Sequence, residues 1–443
     1  MIINNQSQLR KSLSILDVET LARQTSFTCR RSRKISPESF LISFFQMMLN
    51  RRFSLRSWAE NLSLLNGSLV SFQAIAKKLD YRQEPFFQAL FQKVLLNKIQ
   101  QRLNFQVHAI LDSFNRVIVE DSTCFKLPKS LFDFFPGAQL PHGRKSGGRL
   151  QLRIDLKTHT YQSLSLQSYC TNDQRFAPDI LETLQRNDLI IRDLGYWSII
   201  VFKKIVQCKA YFVSRLKLKT GVLEPETQQN IDLQAFLKKK EKQGIYQIDI
   251  PVLLSSKYQL PVRLIAMKLQ PEQAAKRRRA AKTQRHKDTP ISKESFYLMS
   301  WNLFVTNVEE KVWDPKSVYH AYSLRWHIEM IFKCWKSKFN FEAIFKNCNG
   351  RNPMKPEIIL LLTIISYLLL FISSFNTAAE LVWKKYRRIL SPQKFADLAL
   401  NDVIFLLMKH SKSYLPFLAY HCCYDKRKDR LNHFEKTYMN FLS

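Results

Sequence analysis

Acidic side chains are scarce in this chain: 36 Asp and Glu stand against 69 Lys and Arg, a formal net charge of +33. The excess runs along the whole length rather than in one tail. That makes a polyanion the natural partner, and nucleic acid a better fit than a membrane surface because no lipidation motif is present. A secretory leader is also missing, since MIINNQSQLRKSL at the N-terminus has no apolar core. The eight cysteines hold one adjacent pair, Cys422–Cys423, and no CxxC spacing. Neither a zinc site nor a disulfide framework is indicated, and reduced thiols in a cytoplasm fit best. No run is long enough to cross a bilayer. Ile358–Ile372 spans 15 residues and includes Thr363 and Ser366, short of the ~20 required, and so predicts a buried core helix. No internal repeat is visible.

What is present divides into regions. At 443 residues the chain is long enough for two or three domains. Residues 1–105 read as helical. Ser36-Pro37-Glu38-Ser39 opens a helix through Phe40, Phe44, Phe45 and Met48. Leu55–Leu64 and Ser71–Leu79 flank a break at Asn66-Gly67, a pattern that resembles a helix-turn-helix with Lys77 and Lys78 at its end. Residues 106–217 change to strands: VIVEDST (Val117–Thr123), then RLQLRIDLKTH (Arg149–His159) and TYQSLSLQSY beyond a basic loop. A helix through Ile180–Leu184, the buried strand of DLIIRDLGYW, a helix over Ile199–Val206 and a strand over Tyr211–Leu216 complete a mixed sheet flanked by helices. Residues 218–295 interrupt with strands YQIDI and VRLIAMKL and the basic runs Lys238-Lys239-Lys240 and Lys276-Arg277-Arg278-Arg279, a β-rich basic insertion with a candidate nucleic-acid face. Residues 296–345 return with SWNLFVTNV and a long helix. Residues 346–443 read as helical, with a basic tail at Lys426-Arg427-Lys428 and Arg430.

The helix of the fourth region, YSLRWHIEMIFKCWK (Tyr322–Lys336), has an apolar stripe of Leu324, Ile328, Ile331 and Trp335. At about 100° per residue, Tyr322, Arg325, Glu329 and Lys336 gather within roughly 60° of arc beside it. A carboxylate among groups that bind phosphate suggests metal-dependent phosphoryl transfer. An Arg325–Glu329 ion pair on a surface helix meets the same spacing. Two more acids stand at predicted ends of core strands, Asp121 and Asp193, where such sheets place their chemistry. Three carboxylates can hold two hard divalent cations about 3.5–4 Å apart. By position alone Asp112, Asp155, Asp173, Asp179 and Asp188 compete for the same reading.

Tyr322, Arg325, Glu329 and Lys336 match the Y-x2-R-x3-E-x6-K signature of the insertion sequence 4 family of DDE transposases at every position. VEDST around Asp121 resembles the family's first-acid strand, RDLGYW around Asp193 is similar to its second-acid motif, and LFVTNV precedes the helix as in the family. The resemblance covers roughly residues 105–345. It implies an α/β fold: a ribonuclease-H-like catalytic core with a β-rich insertion, flanked by helical N- and C-terminal regions.

It further implies cut-and-paste movement of a mobile DNA element through a hairpin intermediate. Asp121, Asp193 and Glu329 would bind two Mg²⁺ or Mn²⁺ ions. Tyr322, Arg325 and Lys336 would contact phosphates at the transposon end, and Trp301 would stack on a base flipped out of it. The implied partners are transposon-end inverted-repeat DNA, target DNA and a second protomer, in the cytoplasm and nucleoid of a bacterial-type cell. The N-terminal helices would bind the terminal repeats, and the C-terminal helices would help to pair protomers. The chemistry agrees: water and a 3′-hydroxyl serve as nucleophiles in turn, Arg325 can grip a phosphate bidentately, and Lys336 adds a point charge. Two other classes fit the same residues, a nuclease without joining activity and a non-catalytic DNA-binding derivative.

Overall fold

The computed structural model describes residue 10 and residues 13–28, 35–50, 52–100, 111–138, 143–158, 160–283, 291–339, 341–345, 352, 354–399 and 413–424. The basic tail at Lys426–Arg430 lies outside the described residues.

The N-terminal helices are α1 (Val18–Gln24), α2 (Pro37–Leu49), α3 (Leu55–Asn66), α4 (Phe72–Lys77) and α5 (Glu84–Gln100). Their limits follow local chemistry. Ser36, Ser54 and Ser71 each accept the backbone N–H three residues on, satisfying a donor that the first turn leaves free. Pro37 fills the first helical position. Gly67 ends α3 at φ 63°, a left-handed conformation that glycine adopts without cost. Trp58 Nε1 donates to Ser43 Oγ at 2.9 Å and joins α3 to α2. The expected pair of short helices is therefore present. Of its two lysines Lys77 is exposed, whereas Lys78 lies 4.1 Å from the centre of the Phe27 ring.

One nine-stranded sheet carries the centre, in the order β3-β2-β1-β4-β5-β9-β8-β7-β6. Strands β1 (Val117–Leu127), β2 (Ser146–Asp155) and β3 (Thr160–Ser168) pair antiparallel, and β4 (Leu189–Arg192) and β5 (Tyr211–Arg215) continue parallel to β1. β9 (Trp301–Thr306) runs antiparallel to β5. The predicted helix over Ile180–Leu184 is a short 3-10 segment, Ala177–Glu182, following α6 (Asp173–Phe176); α7 (Ile199–Gln207) follows β4.

Residues 218–295 do not form a sheet of their own. β6 (Val222–Leu223), β7 (Gln247–Leu254) and β8 (Leu260–Lys268) extend the central sheet because β8 pairs with β9 from Arg263↔Thr306 to Lys268↔Trp301. Helices α8 (Leu233–Lys242), α9 (Pro271–Thr283) and α10 (Lys293–Leu298) complete the segment.

Both faces of the sheet are covered, as its continuous apolar runs require. Val117, Val119, Leu189 and Ile191 pack with the N-terminal helices and with α11 (Pro315–Ser323), α12 (Trp326–Ser337), α13 (Phe341–Phe345), α14 (Met354–Ser366), α15 (Ser373–Tyr386) and α16 (Pro392–Ala399). Ile118, Ile190 and Phe212 point the other way, onto α6, α7, α8 and α10. The apolar stretch from Ile358 is core, with its two hydroxyls satisfied inside the helix: Thr363 donates to Ile359 O and Ser366 to Leu362 O. Among the described residues no helix is long and apolar enough to cross a membrane.

Candidate active site

Parallel pairing of β1 with β4 runs from Val117↔Leu189 to Glu120↔Arg192 and stops there. The next residues on the two strands are Asp121 and Asp193, so both carboxylates stand where the strands part, the position at which open sheets form their clefts. Asp121 does not end its strand, contrary to the sequence expectation. β1 runs on to Leu127, held by β2, whose pairing sets Asp121 opposite Leu152. Only the β4 side is open. Asp193 leads into a 3-10 turn, Leu194–Tyr196. A Cβ at Gly195 in that turn would lie 2.7 Å from Asp173 Oδ2, so a larger residue there would displace the Asp173 carboxylate.

The predicted continuous helix Tyr322–Lys336 is two helices. α11 ends at Ser323 and α12 begins at Trp326, with bonds of the i to i−3 type through Leu324 and Arg325. Leu324 and Arg325 keep right-handed helical dihedrals through this tightened turn, and the Arg325 guanidinium reaches all three acids. Nη1 lies 3.0 Å from Asp121 Oδ2 and 2.5 Å from Glu329 Oε1, and Nε lies 3.7 Å from Asp193 Oδ1. The i, i+4 pair of Arg325 with Glu329 thus exists, but inside a cleft rather than on an open helix face.

Burial pushes the Asp121 carboxyl up to about 7, with Asp193 and Glu329 adding to the rise and Arg325 and the Ser122 N–H opposing it. Arg325 is raised although its own burial acts to lower it, because Tyr322, Asp193, Glu329 and Asp121 outweigh that.

Around this cluster lies a cleft of about 590 Å³ lined by Asp121, Ser122, Thr123, Asp193, Arg325, Glu329, Phe332, Lys333, Lys336 and Ser337. Lys336 Nζ donates to Cys124 O on β1 at 2.7 Å. Lys333 was not singled out from sequence; its spacing of four from Glu329 was the available signal. Trp326 is 41% exposed, and at about 100° per residue it falls on the α12 face of Lys333 and Ser337.

Tyr322 is brought to the cluster but not to solvent. It is 8% exposed, its ring packs 5.2 Å from that of Phe304, and burial raises its hydroxyl to about 12. Arg325 lies 5.8 Å from its ring centre, so the Tyr322 ring packs beside the guanidinium with its hydroxyl buried.

Three other expected contacts turn inward. Trp301 is 1% exposed, with Lys268 5.0 Å above its ring. No ring face is free to receive a base, because β8 and the α10 segment close over the start of β9. Arg277 donates to Trp301 O at 2.9 Å and to Asn302 Oδ1 at 2.6 Å, and burial lowers it to about 10. Arg278 donates to Phe296 O and Ser300 Oγ. Helical spacing explains this: in a run of four, two side chains face the sheet, and only Lys276 and Arg279 are exposed.

Three expected outcomes follow. Trp301→Ala should cost about 3–5 kcal/mol in chemical denaturation and should impair DNA binding and nicking together; normal stability would show that the ring is not core. Replacing Lys276 and Arg279 by Ala should lower the slope of log K against log salt by up to about 0.9 per lost phosphate contact. Arg277→Ala should instead lower the melting temperature.

Among the described residues no group of three or more His, Cys, Asp or Glu is gathered closely enough to hold a metal as it stands. Arg325 occupies the space between the carboxylates. The donor set nevertheless suits a hard cation: three carboxylates converge on one guanidinium, and the most buried of them remains under-compensated at its raised pKa.

A family model described as a transposase DDE domain matches residues 112–369. Curated relatives include the transposase for insertion sequence element IS231B of Bacillus thuringiensis subsp. berliner, 28% identical over 75% of this chain and 72% of that one. Another is the transposase for IS231F of B. thuringiensis subsp. israelensis, 27% identical over 90% and 85%. The transposase for IS1151 of Clostridium perfringens is 25% identical over 76% and 74%. A solved structure, the cryo-EM synaptic complex of piggyBac transposase with hairpin DNA, aligns with a TM-score of 0.37 at 13% identity over 95% of this chain and 86% of that one. The matched model takes in β1, β4, β9 and α12 with all three acids of the cleft, and this chain belongs to the transposase DDE domain family.

Proposed function

We propose that this chain is a metal-dependent transposase that excises and integrates an insertion-sequence element by cut-and-paste, of the insertion sequence 4 type and on a ribonuclease-H-like core. The observation that carries the reading is the convergence of Asp121, Asp193 and Glu329 on Arg325 where β1 and β4 part. The order β3-β2-β1-β4-β5, antiparallel then parallel, supports the core assignment. The relatives, all transposases of insertion sequence elements, support the substrate class.

Asp121, Asp193 and Glu329 are the residues that would hold Mg²⁺ or Mn²⁺, two ions in this reading. Bound there, the ions would supply Lewis acidity at the scissile phosphate and activate a water or 3′-hydroxyl. The chain's own side chains do the rest. Arg325, released from the carboxylates, has a planar fork suited to a phosphate of the transposon end. Lys333 and Lys336 add positive charge along the same helix, and Trp326 offers an exposed ring on the Lys333 face of that helix for a displaced base. No protein nucleophile is required, so Tyr322 need not become covalently attached to DNA, and its hydroxyl is free to donate to a phosphate oxygen in the DNA complex. The partners are inverted-repeat transposon ends, target DNA and a second protomer.

Incubating the protein and Mg²⁺ with DNA carrying the inverted repeats that flank its gene, together with a supercoiled target, tests this. Excised ends and joined products are expected, with end-labelled hairpins on a denaturing gel if excision passes through that intermediate. Cleavage without joining would identify a nuclease, and binding without cleavage a non-catalytic derivative.

A further inference from the structure

The residue before each core aspartate is charged: Glu120 precedes Asp121 and Arg192 precedes Asp193. Side chains alternate along a strand, so these two point away from the cleft, through the sheet to its other face. There they meet Arg153 of β2, which the antiparallel register sets opposite Glu120, just as the parallel register sets Arg192 opposite it. Arg153 Nε lies 2.5 Å from Glu120 Oε1 and Arg192 Nε lies 2.6 Å from Oε2. One carboxylate thus spans three adjacent strands. All three residues are buried, at 0% for Glu120, 4% for Arg153 and 2% for Arg192.

Stability does not account for this triad. It holds two positive charges and one negative in a dry layer. The Nη2 atoms of Arg153 and Arg192 have no hydrogen-bond partner among the described residues. Apolar side chains of similar volume are often at least as stable in such a place. What the triad does supply is a unique alignment. A shift of β1 by one residue would turn Glu120 into the cleft and Asp121 into the core, and a shift by two would leave both guanidinia without their carboxylate. Secondary contacts hold the guanidinia in turn: Arg192 Nη1 donates to Ala177 O at 2.9 Å, and the two groups lie over Tyr196 and Phe176.

We infer that Glu120, Arg153 and Arg192 are positioning residues. They lock β1, β2 and β4 in the one register that sets the Asp121 and Asp193 carboxylates side by side for a shared divalent ion. The inference rests on the metal-site reading above.

The test uses the full chain with two variants. In the apolar variant E120L/R153L/R192M, melting temperature and terminal-DNA binding should stay near wild type. Its half-saturating Mg²⁺ for cleavage should rise at least tenfold, and Ca²⁺ affinity measured by calorimetry, without turnover, should fall in parallel. In Arg192→Lys, which keeps the charge but loses the planar fork, a smaller rise of several-fold in both quantities is expected, and this variant decides the matter should the triple one not fold. Wild-type metal requirement and Ca²⁺ affinity in a folded variant would overturn the inference. Absence of saturable divalent binding to the wild-type protein would instead overturn the metal-site reading, and the inference with it.

Discussion

Asp121→Asn, Asp193→Asn and Glu329→Gln should each reduce cleavage and joining by about a thousandfold or more while leaving affinity for terminal DNA near wild type. The size follows from the several kcal/mol of transition-state charge stabilisation that a bound cation supplies, with each ~1.4 kcal/mol worth a factor of ten. Binding is spared because phosphate contacts come from the basic side chains around the cleft, not from the acids.

Asp121 carries an additional signature. Its folded pKa, about 7, lies above the ordinary 3.8. A group raised in this way contributes stability that is full below its unfolded pKa and lost as pH rises through the folded one. The metal-free protein should therefore lose stability between about pH 4 and 7 through this residue. Asp121→Asn should raise the melting temperature of metal-free protein at pH 8 and have little effect near pH 4. Normal cleavage by any of the three variants would remove that residue from the site. A pH-independent effect of Asp121→Asn would show that its carboxyl is not held in the raised state.

The second large effect concerns Arg325, the sole guanidinium that joins the three acids among the described residues. Arg325→Ala should destabilise metal-free protein by about 3–5 kcal/mol at pH 8, the usual consequence of leaving buried charge without its partner. Millimolar Mg²⁺ or Ca²⁺ should restore most of that loss, because a divalent ion can take the place the guanidinium vacates. Activity should stay low even when stability is restored, since the phosphate grip is gone. Thermal melts with and without Ca²⁺ separate these effects. A variant whose melting temperature ignores divalent ions would show that the carboxylates do not share one.

Much of the site can be read from residue order. Arg325 and Glu329 fall together on one helix face by periodicity, a local property, whereas Asp121 and Asp193 stand apart from the competing acids only through the motifs that resemble the transposase family. Local pattern likewise marks the three antiparallel strands, the serine-capped helices α2 and α3, and the apolar helix α14, whose Thr363 and Ser366 bond within their own helix.

Orientation and partners were decided by the tertiary structure. The Tyr322–Lys336 pattern is compatible with one straight helix. At Leu324–Arg325 it instead tightens to 3-10 bonding, beside the contacts of Arg325 with the three acids. Four consecutive basic residues at 276–279 look alike in sequence, yet only packing against the start of β9 determines that Arg277 and Arg278 face inward while Lys276 and Arg279 remain exposed. Trp301 and Trp326 are equally aromatic in sequence. Strand pairing by β8 covers the first, and nothing among the described residues covers the second to the same extent. Asp173, one of several competing acids, is held by Ser122, Arg149 and Gln151 beneath the site. Those partners lie between 22 and 51 residues away. Separations of that size carry no periodic signal, so local chemistry identifies which residues are candidates and the fold alone decides which of them meet.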